Sequence, residues 1–194
     1  MRRLVLIALV LFVLAPHQTM ANEWQIDPAH SGFMFEIKHI YSTIRGQFNS
    51  FSGSVFFDPE HPEKSRCEFV VKVDSIHTNN GKRDNHLRSK DFFAADKYPA
   101  MTYKSTQVSP AGANRYLLQG QLTIKDVTQD VSVELIYKGQ KGSPLKKNQL
   151  VAGFDTRFTI DRLAYHVGSG QLYNMGVVAK EVDILVSLEL VRDK

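Results

Sequence analysis

The chain has 194 residues, 24 of them Lys or Arg against 20 Asp or Glu, for a formal charge of +4. So slight an excess of base leaves no electrostatic footprint for nucleic acid, and no nucleic-acid-reading motif is present. The single cysteine, Cys67, excludes an internal disulfide, so stability must come from an ordinary core, which a chain of this length can supply.

Arg2 and Arg3 precede an unbroken apolar run from Leu4 to Leu14, and Thr19-Met20-Ala21 offers small residues for cleavage. That run is shorter than the roughly 20 residues a membrane-spanning helix needs. The expectation is a cleavable export signal over residues 1–21, one mature domain over 22–194, and a periplasmic location. No Cys follows the apolar run to carry a lipid anchor.

From about His30 to Ile40, Phe33, Phe35 and Ile37 alternate with Glu36 and Lys38, the period of a strand with one dry face. Arg45-Gly46-Gln47-Phe48 is expected to turn the chain into a second strand, Phe51, Gly53, Val55 and Phe57, which Pro59 and Pro62 close. Cys67, Phe69, Val71 and Val73 form the dry face of a third. Asn79 to Asp91 has no alternation and reads as a short helix or irregular lid closing on Phe92 and Phe93. Four more strands follow: Met101-Tyr103-Ser105, Tyr116 to Ile124, Val131 to Tyr137, and Phe154 to Ile160. The last, Val182 to Leu190, alternates most cleanly, and a Lys/Gly/Ser/Pro-rich loop spans Gly139 to Asn148.

About eight amphipathic strands on mostly short connections predict an all-β, antiparallel barrel or sandwich. Eight strands suffice for a closed barrel that is either packed solid or holds one ligand. The inward set is rich in Phe and Tyr, with Gly53 and Gly120 between them.

No reaction is proposed by any motif: there is no nucleophile elbow, phosphate loop or paired-carboxylate arrangement. The histidines are scattered without metal-ligand spacing, so neither a metal nor a cofactor is expected. His39 shares the face of Phe33, Phe35 and Ile37, as a rim hydrogen-bonding group or a head-group contact. His30, three residues after Asp27, reads as half of a structural pair. Cys67 reads as an inert buried thiol. The densest polar cluster is Arg83, Asp84, His86, Arg88 and Asp91, either a solvated helix or a cationic lid.

Asp27-Pro28-Ala29-His30-Ser31 with Phe33, Phe35, Ile37 and His39 resembles the opening of the YceI-like family. The resemblance continues through Arg45-Gly46-Gln47-Phe48, Ile76-His77-Thr78, Arg83 to Phe93, Tyr98-Pro99, Gly120 to Ile124, Val127-Thr128 and Ile160-Asp161-Arg162. It implies an extended eight-stranded lipocalin-like barrel with a short helical insertion, often dimeric. It also implies an apolar tunnel for polyisoprenoids, isoprenoid quinones or fatty amides. Some members stand beside cytochrome b561-type membrane proteins, which makes such a protein a candidate partner.

Carried onto this chain, the resemblance assigns tunnel lining to Phe33, Phe35, Ile37 and His39 of the first strand and to Phe48 and Phe51 of the next. Phe69, Phe92, Phe93, Met101, Tyr103 and Leu122 follow, with Phe154 and Phe158 near the end. Arg83, His86, Arg88 and His166 are the candidates for the mouth and head group. The stretch Leu163 to Gly170 departs from the family's usual sequence. Two other readings compete with a carrier: a solid-cored interaction module, and an enzyme using His30, His39, Asp84 or His86.

Overall fold

The structure, a computed structural model, describes residues 23–194, so the expected export signal lies outside the described residues. Eleven strands form one antiparallel sheet: β1 (Glu23–Ile26), β2 (Gly32–His39), β3 (Ser42–Phe48), β4 (Phe51–Phe56), β5 (Arg66–Lys72), β6 (Ile76–His77), β7 (Ala100–Gly112), β8 (Arg115–Ile124), β9 (Val127–Gly142), β10 (Gln149–Asp161) and β11 (Val178–Asp193). Their ladder runs β1-β4-β5-β7-β8-β9-β10-β11, and β11 pairs again with β1, closing a ring of eight. The remaining three extend existing staves rather than adding new ones. β2 continues β1 along β11, β3 continues toward β4 along β2, and β6 continues β5 along β3. The molecule is an eight-stranded, closed, antiparallel barrel with short helices, and closure leaves no free sheet edge around the ring.

The break between β1 and β2 explains the Asp27 to Ser31 segment. Asp27 Oδ1 accepts from Ala29 N at 3.0 Å, and Asp27 Oδ2 lies 3.0 Å from His30 Nδ1. Ser31 Oγ then bridges to β11, accepting from Glu189 N at 3.0 Å. The stave thus bulges outward without losing its partner. This pairing lowers the Asp27 pKa, and the Asp27 hydrogen bond, aided by the charges of Asp27 and Glu189, raises that of His30 above 6.5. An NMR titration should find His30 above its ordinary value, and Asp27→Asn should return it there. The sign follows: the stability His30 adds is complete below 6.5 and fades as pH rises through its folded pKa. His30 is exposed and Asp27 only half-buried, so the contribution to stability is small. Glu189 brings a third ligand-type atom within 4.8 Å of this pair, on the open surface.

One end of the barrel is sealed. Phe57 meets Tyr116 and Phe154 edge-on and Tyr137 at a tilt, at 4.8–5.2 Å, and Trp24 and Leu190 are buried in the same cluster. Aromatic contacts of this kind add about 0.5–1.5 kcal/mol each beyond their buried area. Cys67 lies in the same core, and burial pushes its thiol up to about 12. Folded protein should therefore resist alkylation by iodoacetamide at pH 7.5, whereas denatured protein should label at one site; fast labelling of native protein would place the thiol at the surface.

The other end carries the insertion. Helix α1 (Gly81–Arg88) is capped by the Asn80 side chain, which accepts from Arg83 N. It packs against β6, which shares no ladder with β7. Asp84, 4% exposed, fastens it by accepting from Thr78 N at 2.9 Å and Thr78 Oγ1 at 2.5 Å. Across the opening, a 3-10 turn at Arg162–Tyr165 begins the stretch that departs from the family's usual sequence, and the short helix α2 (Gln171–Asn174) follows it.

Three expectations need correction. Arg45 to Phe48 is not a turn but the end of β3; the reversal sits at Ile40-Tyr41, where Ile40 adopts φ 51°. β1 was not anticipated at all. The loop expected over 139–148 is shorter, because β9 runs to Gly142 and β10 begins at Gln149.

Candidate functional site

The barrel interior is hollow. A cavity of about 150 Å³ occupies the middle, and a second of about 260 Å³ lies under α1 at the unsealed end. Phe48, Met101, Ile124, Ile160 and Ile184 line both, so the two meet at a shared waist. Together they reach the size of a small-molecule site, typically about 300–1,000 Å³. The walls are almost wholly aliphatic and aromatic.

Glycines keep the bore open. Gly46 sits opposite Phe35 on β2, Gly53 opposite Phe69, and Gly120 beside Tyr103. A methyl at any of them would collide with the neighbouring ring, so each ring lies flat across a bare backbone instead of projecting to the axis. Gly46→Ala, whose nearest obstacles are the side chains of Phe35 and Thr78, should drive the Phe35 ring inward. The expected cost is about 1–3 kcal/mol of stability. Binding of any long-chain probe should also weaken, as read by titration calorimetry on the folded variant.

The open end has an apolar rim. Tyr41 is 103% exposed and Ile40 58% at the β2–β3 tip, with Tyr173 and Met175 at 41% and 64% beside α2. The two groups are neighbours, since Ile40 N donates to Val177 O at 3.0 Å. Among the described residues, four of the seven exposed large apolar side chains therefore gather at the one mouth.

Residues 24–190 match the YceI-like domain. The chain belongs to the YceI-like family. A UPF0312 protein of Yersinia enterocolitica is 35% identical over 178 residues, covering 90% of this chain and 89% of the relative. A UPF0312 protein of Pseudomonas aeruginosa is 34% identical over the same length, with 90% of each covered. Among solved structures, Burkholderia cenocepacia BcnA superposes with a TM-score of 0.77 at 29% identity, over 86% of this chain and 99% of BcnA. A polyisoprenoid binding domain from Saccharophagus degradans shares the fold at 14% identity, with a TM-score of 0.62 over 86% of this chain and 97% of that domain.

In this YceI-like barrel, Phe33, Phe69, Tyr103, Leu122, Phe154 and Phe158 lie on the wall of the inner cavity. Phe35, Ile37, His39, Phe92 and Phe93 lie on the outer one, and Phe48 and Met101 stand at the waist. Phe51 is placed differently: it packs against Phe33 at 4.8 Å, behind the lining.

The mouth candidates divide. Arg83 and His86 border the outer cavity. Arg88 does not: its guanidinium is held away from the mouth by Asp74 O, Ile76 O and Asn85 Oδ1. Nor does His166, which faces outward 3.2 Å from Asp126. Of the four residues weighed as acid or base for an enzyme, His30 belongs to the exposed Asp27 turn and Asp84 is committed to Thr78, whereas His39 and His86 border the outer cavity. Missing from the expected set is Arg162, which lines the outer cavity although it is only 5% exposed. Its sequence neighbourhood, an Asp-Arg pair at a strand end, gives no sign of burial.

Proposed function

We propose that this protein is a periplasmic carrier that holds one long-chain, isoprenoid-like amphiphile, such as a polyisoprenoid, isoprenoid quinone or fatty amide, in its tunnel. The observation that carries this reading is the pair of contiguous apolar cavities, sealed by aromatics at one end and open at the other. A barrel filled by its own Phe and Tyr side chains would have favoured the interaction-module reading; this one keeps a bore.

Transfer from water is worth ~0.8 kcal/mol per methylene, so a chain of ~20 carbons gains roughly 16 kcal/mol gross. Most of that vanishes when the lipid starts in a bilayer that is just as apolar, and ordering the chain costs more. A tunnel that matches the bilayer approximately therefore permits both loading and release. The exposed Ile40, Tyr41, Tyr173 and Met175 surround the mouth, where the exchange would occur. A membrane redox protein of the cytochrome b561 type, or a second copy of this chain, would meet the carrier at that same end.

The test is a series of prenyl alcohols of increasing length in competition with a fluorescent lipid. Affinity from water should rise by up to about fourfold per added methylene until the bore is full, then level off. Affinity independent of length, or no displacement by any member, would remove the carrier reading. Incubation with prenyl phosphates and quinones should leave them unaltered.

A further inference from the structure

Ile40 and Tyr41 make up the whole turn between β2 and β3, since His39 pairs directly with Ser42. Both side chains stand in solvent and add nothing to the core. Ile40 turns at φ 51°, a left-handed conformation that strains a β-branched residue and suits Gly or Asn. A strained apolar pair at a wet tip points to a use outside the fold. Tyr173 and Met175 stand out beside it, and the bond from Ile40 N to Val177 O ties the two groups into one rim. Helix α1 completes that rim, because Arg83 and His86 border the same outer cavity as His39, Ile44, Leu172 and Val178.

The charge around the rim has one sign in excess. Over residues 38–41, 81–91 and 171–181, bases outnumber acids. Of those acids Asp84 is buried, while Asp91 and Glu181 lie 3.6 and 3.7 Å from His86 and Lys180. Lys82 and Lys90, both exposed, have no ion-pair partner among the described residues.

Three occupants could cover such a rim. A folded protein partner takes about 20–30 residues a side, far more than four separated tips. A second copy in two-fold pairing would set this basic rim against an identical one, base facing base. An anionic bilayer answers both features. Apolar and tyrosyl tips enter the boundary between acyl chains and head groups, and lysines meet the phosphates.

We infer that the mouth end is a membrane-docking surface, where Ile40, Tyr41, Tyr173 and Met175 enter an anionic bilayer while Lys82 and Lys90 rest on its phosphates. The inference rests on the carrier reading for its purpose, since this pose sets the unsealed cavity against the acyl chains. Four tips and two lysines make a shallow contact, so docking is reversible.

The experiment is flotation of the mature chain, residues 22–194, with vesicles of phosphatidylcholine alone or mixed with phosphatidylglycerol, and with no prenyl lipid added. Wild type should float with the mixed vesicles, and high salt should release it. Ile40→Gly combined with Tyr41→Asn should weaken that binding by about 10- to 100-fold, at about tenfold for each large side chain buried. Glycine suits the φ 51° turn, so this variant should melt no lower than wild type. Lys82→Gln combined with Lys90→Gln should weaken binding to the mixed vesicles by about 30-fold, at about fivefold per lysine. Wild type that stays in solution overturns the surface, as does flotation that survives the replacement of Ile40 and Tyr41. Equal binding to both vesicle types, untouched by the lysine replacements, overturns it too. So does a concentration-dependent dimer that the Ile40 and Tyr41 variant abolishes, with no flotation, which would mark the rim as a contact between copies. Uptake of geranylgeraniol from solution is measured in parallel. Uptake without flotation leaves the carrier standing and removes the surface, and flotation without uptake does the reverse.

Discussion

Phe35→Asp is expected to abolish uptake of any long-chain ligand and to cost about 3–5 kcal/mol of stability, as for other large aromatic truncations. Phe35 is 8% exposed, lies across Gly46, packs against Phe48 at 5.8 Å and lines the outer cavity. A carboxylate there loses the ring's contacts and faces hydrocarbon without a partner. Phe35→Leu separates the two effects: it should lose part of the stability yet keep most of the binding. Denaturant melts and the competition assay read both. Full uptake by a folded Phe35→Asp protein would place this face outside the site.

Asp84→Ala should loosen the lid. Thr78 is 3% exposed, and its N–H and hydroxyl both donate to Asp84 Oδ1. Removing that acceptor strands two buried donors, at about 1–3 kcal/mol each. Arg83 is tied to the same residue, donating from Nε to Thr78 Oγ1 at 2.7 Å and from Nη2 to Thr78 O at 2.6 Å. Loss of Asp84 therefore reaches both the seat of α1 and one of the cations at the mouth. Hydrogen exchange should quicken across residues 81–95 and leave β9 to β11 protected, and a bound lipid should dissociate faster. Uniform destabilisation with unchanged protection of α1 would show that Asp84 serves the barrel and not the lid.

Most of the barrel was legible because a stave with one dry face writes itself as a period of two, and β8, β9, β10 and β11 are long enough for the pattern to repeat. The failures have physical causes. β1 is four residues long, too short for a period, so Trp24 went unplaced although it is 2% exposed. Gly46 looked like turn material because a glycine's use as a bed for an aromatic ring depends on the strand across from it. The true turn went unseen because Ile40, a β-branched residue at φ 51°, is a poor turn former.

At the site, the apolar lining followed from strand parity alone, whereas the polar groups did not. Arg88 and Arg162 are alike in sequence, each a base near an acid at the end of an element. One is drawn to backbone carbonyls on the outside, the other folded beneath a loop beside the cavity. Burial of a charge is decided by what packs over it, here the Gly168 loop and Phe92, and a periodicity argument contains neither.

The most direct test of the carrier reading is to purify the mature protein from its own host without detergent, extract it with organic solvent and identify what is released by mass spectrometry. The account predicts a long-chain amphiphile at close to one per barrel. Empty protein that also fails to take up added prenyl lipids would contradict it.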